Sequence, residues 1–278
     1  MLWILMEKDI RRLYRTYWKR EHIRLTRDAY HSLELNTTLM FLRKYLPRKG
    51  LVLDSGTGGG AYALRLAKVG YDVVMQDISR ENLANAEKEI KRARIGKRVK
   101  GIVEGSITDL SGFRSNMFDA VLCLGGPLSL VYGKNSRRKA ISELVRVAKK
   151  GAPIFISVMN RFGSISLAPT EWPLEIKTSN FASVAFTGED RLWIGKYYCH
   201  YFSPEELEEE FRISGKGADA LELVGLEGLA TPSIDAVNRL AKDRKAWGNW
   251  VKVHNALCTN PIVVGVSAHI LLVARKKR

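Results

Sequence analysis

The stretch GLVLDSGTGGGA at residues 50–61 carries the clearest structural signal in the chain. Its first half, Gly50 to Asp54, has the length and apolar composition of a buried strand, and its second half is a glycine cluster. Residues 61–69 then have helical character and end at Gly70, which suits the position just after a helix. A glycine turn between a strand and a helix lets the backbone approach a ligand over the helix N-terminus. The stretch therefore predicts a small-molecule site at this turn.

The same alternation of strand and helix continues along the chain. Strands are predicted at 72–75, 99–103, 120–124 and 153–158, and helices run from Ser79 to about Arg94 and from Ser136 to Val147. Strands alternating with helices of this length indicate a parallel sheet with helices on both faces. After Val158 the pattern changes: 160–200 is predicted to be loop, Ser203 opens a helix, and strands at 219–226 and 262–273 bracket a helix at 235–257.

These elements predict an α/β fold, a Rossmann-like doubly wound sheet of seven strands with the last strand antiparallel. We expect one domain over residues 1–278. An N-terminal helical cap would cover 1–47, with its helix closed by Pro47. The core would cover 48–278 and carry two lid segments, 160–200 and a helical insertion at 232–260.

The composition restricts the class of protein. Of 278 residues 46% are hydrophobic and 27% are charged, which excludes wholesale disorder, and a net charge of +16 favours anionic partners. Three cysteines without CxxC spacing indicate a reducing compartment, so we expect a cytoplasmic protein. The longest apolar stretch, 261–274, is too short to span a bilayer, so no membrane insertion is expected.

Two acidic residues distinguish the nucleotides that the turn could bind. Gly56, Gly58 and Ala61 satisfy the dinucleotide pattern G-x-G-x-x-G/A, and Asp77 lies where a ribose-binding acid is expected. Asp54, however, would stand close to a pyrophosphate, and two like charges at about 4 Å repel by roughly 4 kcal/mol at an intermediate dielectric. A ligand with an ammonium and a sulfonium would instead be attracted. The electrostatics favour S-adenosylmethionine over NAD.

Several motifs in order resemble those of class I S-adenosylmethionine-dependent methyltransferases. Residues 52–60, VLDSGTGGG, match the first motif V-L-D-x-G-x-G-x-G, and Phe118-Asp119-Ala120-Val121 matches the F-D-x-V before the fourth strand. Residues 143–151 resemble E-x-x-R-V-L-K-P-G, and residues 201–207 resemble Y-F-S-P-E-E-L. The resemblance spans roughly residues 51–211. It implies S-adenosyl-L-methionine as cofactor, S-adenosyl-L-homocysteine as product, and transfer of a methyl group by in-line displacement.

The resemblance also implies roles for individual residues. Asp77 would hold the ribose hydroxyls, Asp54 would lie near the ammonium, and the glycine turn would wrap the methionine end. The sequence departs from the family at Gly105-Ser106, where Gly-Asp is common, so Ser106 or a backbone carbonyl would replace the acid that meets the adenine amine. The residues expected to bind the cofactor are Asp54, Gly56, Thr57, Gly58, Gly60, Asp77, Ile78, Ser106, Ile107 and Leu124.

The acceptor is less defined. His200, between aromatic residues, is the candidate general base, although a packing role is equally compatible. His254 and Cys258 have zinc-compatible spacing, but two further ligands are not evident, so no metal site is predicted. Basic runs at 88–100 and at Arg11 to Arg27 could follow RNA phosphates, although solvated helix faces explain them better.

Four functions therefore compete. A methyltransferase with a small-molecule acceptor leads, because the segments outside the motifs are rich in apolar and aromatic residues such as Trp18 and Trp172. A methyltransferase acting on RNA or protein comes second, and nucleic acid is thus a possible but not favoured partner. An NAD-dependent oxidoreductase and a non-catalytic basic binding module follow. Nothing in the sequence indicates which oligomeric state the protein adopts.

Overall fold

The apolar runs of the sequence pair into one central sheet in a computed structural model, which describes residues 23–190 and 198–278. The seven strands are β1 (Leu51–Ser55), β2 (Asp72–Asp77), β3 (Val99–Glu104), β4 (Ala120–Cys123), β5 (Pro153–Met159), β8 (Ala218–Gly225) and β9 (His269–Lys276). Their order is β3-β2-β1-β4-β5-β9-β8. β1 to β5 are parallel, whereas β9 runs antiparallel to both of its neighbours. The predicted doubly wound, seven-stranded sheet with an antiparallel last strand is confirmed.

Helices cover both faces of this sheet. They are α1 (Ala29–Tyr45), α2 (Ala63–Lys68), α3 (Arg80–Ala93), α4 (Lys134–Val147), α5 (Arg161–Glu171), α6 (Ser179–Thr187), α7 (Pro204–Ser214), α8 (Ile234–Leu240), α9 (Arg244–Leu257) and α10 (Pro261–Val266). Successive strand residues point to opposite faces. Val52 accordingly packs with α1, α2 and α3, whereas Leu53 packs with α4 and α7.

Short polar side chains start several helices where the sequence predicts. Ser79 accepts a hydrogen bond from the backbone N–H of Asn82 at the start of α3, and Ser203 does the same for Glu206 at the start of α7. Such N-caps satisfy backbone donors that have no partner within the helix. α1 starts at Ala29 behind the N-cap Asp28. The remainder of the predicted N-terminal helix, with Trp18, lies outside the described residues.

The segment 160–200 is not a loop, contrary to the prediction. Asn160 caps α5 through its side-chain oxygen, and Thr178 caps α6. Two short strands, β6 (Glu189–Asp190) and β7 (Cys199–His200), then pair antiparallel outside the main sheet. Pro169 lies inside α5 and does not end that helix. Residues 191–197 lie outside the described range.

Two further boundaries differ from the prediction. The helix expected at 235–257 is divided into α8 and α9, because Asp243 accepts hydrogen bonds from the N–H groups of Lys245 and Ala246 and starts a new helix. The strand expected at 262–273 occupies 269–276 instead, because Asn260 caps a helix with Pro261 at its first turn. A continuous apolar run fits either a buried helix or a buried strand. Among the described residues no helix is long and apolar enough to cross a membrane.

Candidate cofactor and acceptor cavity

Three glycines with left-handed backbone shape the turn between β1 and α2. Gly56, Gly58 and Gly60 have φ angles of +78°, +55° and +85°. A Cβ atom on Gly56 would lie 2.4 Å from the Pro127 ring, and one on Gly60 would lie 2.7 Å from Met75. No atom of the described residues lies within 4 Å of the same position at Gly58. Close packing thus requires glycine at the first and third positions, whereas Gly58 leaves its side of the turn open.

A cavity of about 380 Å³ lies over this turn. Its walls come from the residues that follow β1, β2, β3 and β4, so it sits at the carboxyl ends of the parallel strands, where such sheets bind ligands. Eight of the ten residues expected to bind the cofactor line it: Gly56, Thr57, Gly58, Asp77, Ile78, Ser106, Ile107 and Leu124. Asp54 and Gly60 do not line it.

Asp54 is buried, and only one of its carboxylate oxygens is paired. Oδ2 accepts hydrogen bonds from the Thr57 hydroxyl at 2.7 Å and from the Ala63 N–H at 3.2 Å. Oδ1 is buried without a hydrogen-bond partner among the described residues. Burial raises the pKa of Asp54 to about 6. A buried carboxylate with an unpaired oxygen favours a positively charged ligand group nearby, and its partner Thr57 lines the cavity.

The carboxylate of Asp77 joins the glycine turn to the start of α3. Oδ2 accepts a hydrogen bond from the Gly58 N–H at 2.7 Å, and Oδ1 accepts from the Ser79 N–H at 2.8 Å and from the Asn82 amide at 3.3 Å. Asp77 lies at the cavity wall. Its hydrogen bonds show a role that sequence reasoning missed, because the acid also holds the turn in place.

Ser106 lines the cavity beside Ile107 and uses its polar groups locally. Its hydroxyl lies 3.0 Å from the Thr108 hydroxyl, and its carbonyl accepts a hydrogen bond from the Gln76 amide at 3.1 Å. Gln76 also accepts from the Ser55 hydroxyl at 2.5 Å. A hydroxyl can donate and accept, so Ser106 retains the hydrogen-bonding chemistry expected at this position.

Other residues line the cavity without matching a motif. They include Arg24, Leu25, Tyr62, Asn82, Gly125, Leu130 and Val131. Leu25, Tyr62 and Leu130 are buried apolar side chains. Arg24 belongs to a basic run for which the sequence favours a solvated helix face, and that interpretation is wrong for Arg24, whose side chain is only 18% exposed. Glu34, ten residues later on α1, is the acid that pairs with Arg24. Its presence at that spacing is the sequence signal that could have indicated a buried ion pair.

His200 does not line the cavity, in contrast to its predicted position at the acceptor. Its side chain is buried, its Nε2 lies 2.8 Å from Glu206 Oε1, and its Nδ1 lies 3.3 Å from Glu189 Oε1. The ring also meets Phe202 edge-on at 4.6 Å. These contacts support the packing alternative rather than a general base.

A buried charged cluster adjoins the cavity through Arg24. The two terminal nitrogens of Arg24 bind the carboxylate of Glu34, and Nδ1 of His269 lies 3.7 Å from Glu34 and 2.6 Å from Glu227. Burial opposes charge here, yet Arg24 and His269 hold the pKa of Glu34 below its usual range, and Glu227 and Glu34 raise the pKa of His269. Glu34, Glu227 and His269 are also close enough to share a metal ion. The Arg24 guanidinium and the His269 ring already occupy the space that faces the two carboxylates.

His254 and Cys258, whose spacing was compatible with zinc, both lie in the core. Nε2 of His254 lies 2.8 Å from the Thr37 hydroxyl, and Sγ of Cys258 donates to the carbonyl of Asn255 at 3.4 Å. Burial lowers the pKa of His254 and raises that of Cys258. Both side chains therefore have protein partners within the core.

Comparison with known proteins identifies the class of this domain. Residues 53–156 match the family model described as a methyltransferase domain. Glycine/sarcosine N-methyltransferase of Halorhodospira halochloris is 34% identical over 106 residues, which cover 37% of this chain and 38% of that protein. The chain spans about two fifths of the length of such relatives, at 38–40%.

Solved structures agree on the fold. A S-adenosylmethionine-dependent methyltransferase from Methanosarcina mazei has a TM-score of 0.57 and 19% identity, covering 85% of this chain and 97% of that one. The 1,6-didemethyltoxoflavin-N1-methyltransferase of Burkholderia thailandensis, with bound S-adenosylhomocysteine, has a TM-score of 0.61 and 14% identity, covering 98% and 88%. Residues 53–156 thus match a methyltransferase domain, and the chain has the fold of class I S-adenosylmethionine-dependent methyltransferases, which confirms the resemblance drawn from its motifs. The cofactor of this class is S-adenosylmethionine, as predicted.

Proposed function

We propose that this protein transfers a methyl group from S-adenosylmethionine to a small-molecule acceptor. One observation carries the proposal: a single cavity is lined both by the motif residues, such as Gly58 and Asp77, and by apolar residues outside the motifs, such as Leu25 and Leu130. Its volume of about 380 Å³ falls in the range of roughly 300–1,000 Å³ typical of small-molecule sites. The motif side suits the cofactor, and the apolar side suits an acceptor.

The residues present fit the cofactor. Asp54 has a buried, unpaired oxygen beneath the glycine turn, which matches a ligand ammonium. Asp77 at the end of β2 and Asn82 at the start of α3 supply polar groups, and Ile78 and Ile107 supply apolar surface for a purine ring. S-adenosylmethionine contributes a methyl group on a positive sulfur, which a nucleophile can take by in-line displacement.

The chain itself has to align the acceptor and exclude water. Alignment of two bound reactants can lower a barrier by several kcal/mol without any proton transfer. Tyr62, Leu130 and Val131 provide apolar walls for this purpose, and the backbone at Gly125 borders the same space. A base is required only when the acceptor must lose a proton, and none of the cavity residues is assigned that role.

Two considerations favour a small acceptor over RNA. The basic residues of the 88–100 run are exposed, and the cavity wall includes only the acid Glu89 from that run. The relatives named glycine/sarcosine N-methyltransferase act, by that name, on small amines. Transfer to RNA or protein is the second candidate, and NAD chemistry is disfavoured by the position of Asp54.

Calorimetry with S-adenosylmethionine and with NAD tests the cofactor half of the proposal. We expect S-adenosylmethionine to bind and NAD to bind weakly or not at all; the reverse would refute the assignment. The acceptor half is tested by incubating the enzyme and labelled cofactor with a metabolite extract freed of macromolecules. Methyl transfer into that extract supports the proposal. Binding to tRNA that weakens by about a thousandfold between 50 and 200 mM salt would favour an RNA acceptor.

A further inference from the structure

The central sheet has a second edge, where β1 to β5 begin, at the end of the strands opposite the cavity. The five-residue β1 separates the two edges by about 17 Å. β9 ends at this second edge and β8 begins there, because Pro153 is paired with Arg275 and Ala218 with Lys276. All seven strands therefore contribute a connecting segment to the same edge.

These segments form one continuous row. At one end, Nη1 of Arg98 before β3 donates to Asp72 of β2 at 3.2 Å. At the other end, the backbone N–H of Lys277 donates to the carbonyl of Gly217 at 2.7 Å and joins β9 to β8. Neighbouring strands lie about 4.8 Å apart, so seven strand ends extend over about 29 Å.

Basic side chains follow the whole length of this row. Nine of them are exposed: Arg48, Lys49, Lys97, Arg98, Lys100, Lys149, Lys150, Lys216 and Lys277. We call this set the basic edge. None of its members lines the cavity, so the basic edge is a surface separate from the cofactor and acceptor site.

Three acids in the same segments neutralise only part of this charge. Each is paired with a member of the basic edge: Asp72 with Arg98, Asp119 with Lys149 and Asp219 with Lys277. Five members have no ion-pair partner among the described residues, namely Arg48, Lys49, Lys97, Lys150 and Lys216. These five are distributed from β3 to β8. The described part of the fold therefore gives them no counter-charge.

The segments at the basic edge expose little apolar surface. Val69 is exposed there, whereas Tyr71 is half-buried and donates its hydroxyl proton to the Pro47 carbonyl at 2.6 Å. Stable binding to a lipid surface usually needs apolar or lipid anchoring besides charge. Binding to single-stranded nucleic acid usually needs exposed rings on which bases stack. One exposed valine provides neither, so the described residues of this edge suit a partner that is held by charge alone.

We propose that the basic edge binds the phosphate backbone of a double-stranded nucleic acid without reading its base sequence. One strand of a double helix has a phosphate about every 3.4 Å, so a row of about 29 Å faces roughly eight phosphates. Lysine binds phosphate as a point charge and arginine as a planar fork, and the basic edge contains both. This surface is independent of the proposed function, because the cavity at the opposite edge stays open when the duplex is bound.

The test is fluorescence anisotropy with a short labelled duplex, prepared as RNA and as DNA of the same sequence. The edge variant, Lys49→Gln/Lys97→Gln/Lys150→Gln/Lys216→Gln, removes one unpaired cation beside each of β1, β3, β5 and β8. The matched control, Lys139→Gln/Lys177→Gln/Lys245→Gln/Lys252→Gln, removes the same charge from exposed lysines outside the basic edge. All eight lysines are exposed, so thermal melts should show both variants folded like the wild type.

The salt dependence of duplex binding is the decisive measurement. If the four lysines of the edge variant and about two further members contact phosphates, wild-type affinity should fall by about a thousandfold between 50 and 200 mM salt. The edge variant, with about two contacts left, should lose only about tenfold over the same range. The matched control should behave like the wild type. RNA and DNA duplexes should bind within about tenfold of each other, because phosphate contacts carry no sequence information.

Two half variants test whether the row acts as one surface. Lys49→Gln/Lys97→Gln and Lys150→Gln/Lys216→Gln each remove two contacts, from opposite halves of the row. Both should have a salt dependence between those of the wild type and the edge variant, since each phosphate contact changes the slope by about one. S-adenosylhomocysteine affinity and methyl transfer to small molecules should stay at the wild-type values in all of these proteins.

Three results overturn the proposal. They are equal salt dependence in the wild type, the edge variant and the matched control; no duplex binding by the wild type at 50 mM salt; and binding to phosphatidylserine vesicles without binding to the duplex. tRNA contains the same duplex backbone, so salt-sensitive tRNA binding indicates an RNA acceptor only where it persists in the edge variant and the labelled methyl group is transferred. Duplex binding that is lost in the edge variant, with cofactor binding and methyl transfer retained, supports the proposal.

Discussion

The backbone N–H of Gly58 donates a hydrogen bond to the Asp77 carboxylate at 2.7 Å. The bond joins the open position of the glycine turn to the acid that ends β2, and both residues line the cavity. The residue expected to hold the ribose thus also holds the turn over which the cofactor is proposed to lie. Changes at Asp77 should therefore affect the turn and the ligand together.

Replacing Asp77 by asparagine should weaken S-adenosylhomocysteine binding by about 1.5–3 kcal/mol, the scale of hydrogen bonds to a charged group. The amide retains one acceptor for the Gly58 N–H but cannot accept from Ser79 with its nitrogen. Calorimetry measures the effect, and Asp72→Asn, at the start of the same strand and outside the cavity wall, is the control. Unchanged affinity in Asp77→Asn would contradict the assigned role.

The glycines of the turn should respond differently to alanine. At Gly58 the added methyl meets no described atom, so Gly58→Ala should lose about 1–2 kcal/mol of stability from its left-handed backbone. At Gly56 the methyl also collides with Pro127, which adds about 1–3 kcal/mol. Chemical denaturation measures the difference. Equal loss of stability in the two variants would show that the Pro127 contact does not matter.

Gly58→Ala should in addition reduce cofactor affinity more than its small stability loss explains. Its methyl group would project into the open side of the turn, where the proposed ligand lies. Calorimetry with S-adenosylhomocysteine, at a temperature where the variant is fully folded, measures this effect. Gly248→Ala, on α9 with no described atom near its Cβ position, is the matched control.

Asp54→Asn should stabilise the unliganded protein and weaken cofactor binding. The pKa of Asp54, raised by burial from 3.8 to about 6, means that the native state binds this proton more tightly than the unfolded state does. The contribution of Asp54 to the free energy of unfolding is therefore highest below about pH 4 and falls between about pH 4 and 6. Above about pH 6 it stays at its lowest value. Relative to the wild type, the free energy of unfolding of Asp54→Asn should be higher by on the order of 2–3 kcal/mol at pH 8 and unchanged at pH 4.

Urea unfolding of both proteins at pH 4, 6 and 8 measures this gain. Cofactor affinity of the wild type should rise as the pH increases through about 6, because the ionised carboxylate attracts the ammonium. The asparagine variant should lack that rise. Asp235→Asn, an exposed carboxylate on α8, should leave both measurements at the wild-type values. A constant stability difference across this pH range would contradict the assignment.

Arg137 should be a major determinant of stability. Its buried side chain donates to the Tyr198 hydroxyl at 2.8 Å and lies 3.6 Å from Glu210, whose pKa burial raises. Removing one member of a buried charged pair typically costs about 3–5 kcal/mol. Arg137→Met should show that loss in denaturation experiments, and Arg137→Met/Glu210→Gln should recover part of it. Lys139→Met, exposed on the same helix, is the control.

His200→Gln should lower stability without changing catalysis. His200 is buried beside Glu206 and Glu189 and does not line the cavity. The turnover of the folded variant should therefore keep the wild-type dependence on pH between about pH 6 and 9. A variant that loses the acidic limb of the pH profile would restore His200 as a general base.

The sequence was sufficient to predict those parts of the structure that residues close together in the chain determine. The strand, glycine turn and helix at residues 50–69 follow one another directly, and the spacing to Asp77 places the second acid at the next strand end. The N-caps Ser79 and Ser203 act on N–H groups three residues away. Local hydrogen bonding and hydrophobic periodicity are readable in such short windows, and the sheet follows from their alternation.

The tertiary structure alone decided which residues outside the motifs line the cavity, and it decided several element boundaries. Arg24 and Gly125 meet although about a hundred residues separate them, and no pattern marks either for the other. The aromatic neighbours of His200 in the sequence suggested a position at the acceptor. In the structure its side chain is buried against Glu206 and does not line the cavity. The apolar run after Asn260 was compatible with a helix or a strand until packing selected between them. The physical reason is common to all three: burial and ion pairing depend on which distant segments the fold brings together, and a single sequence does not contain those distances.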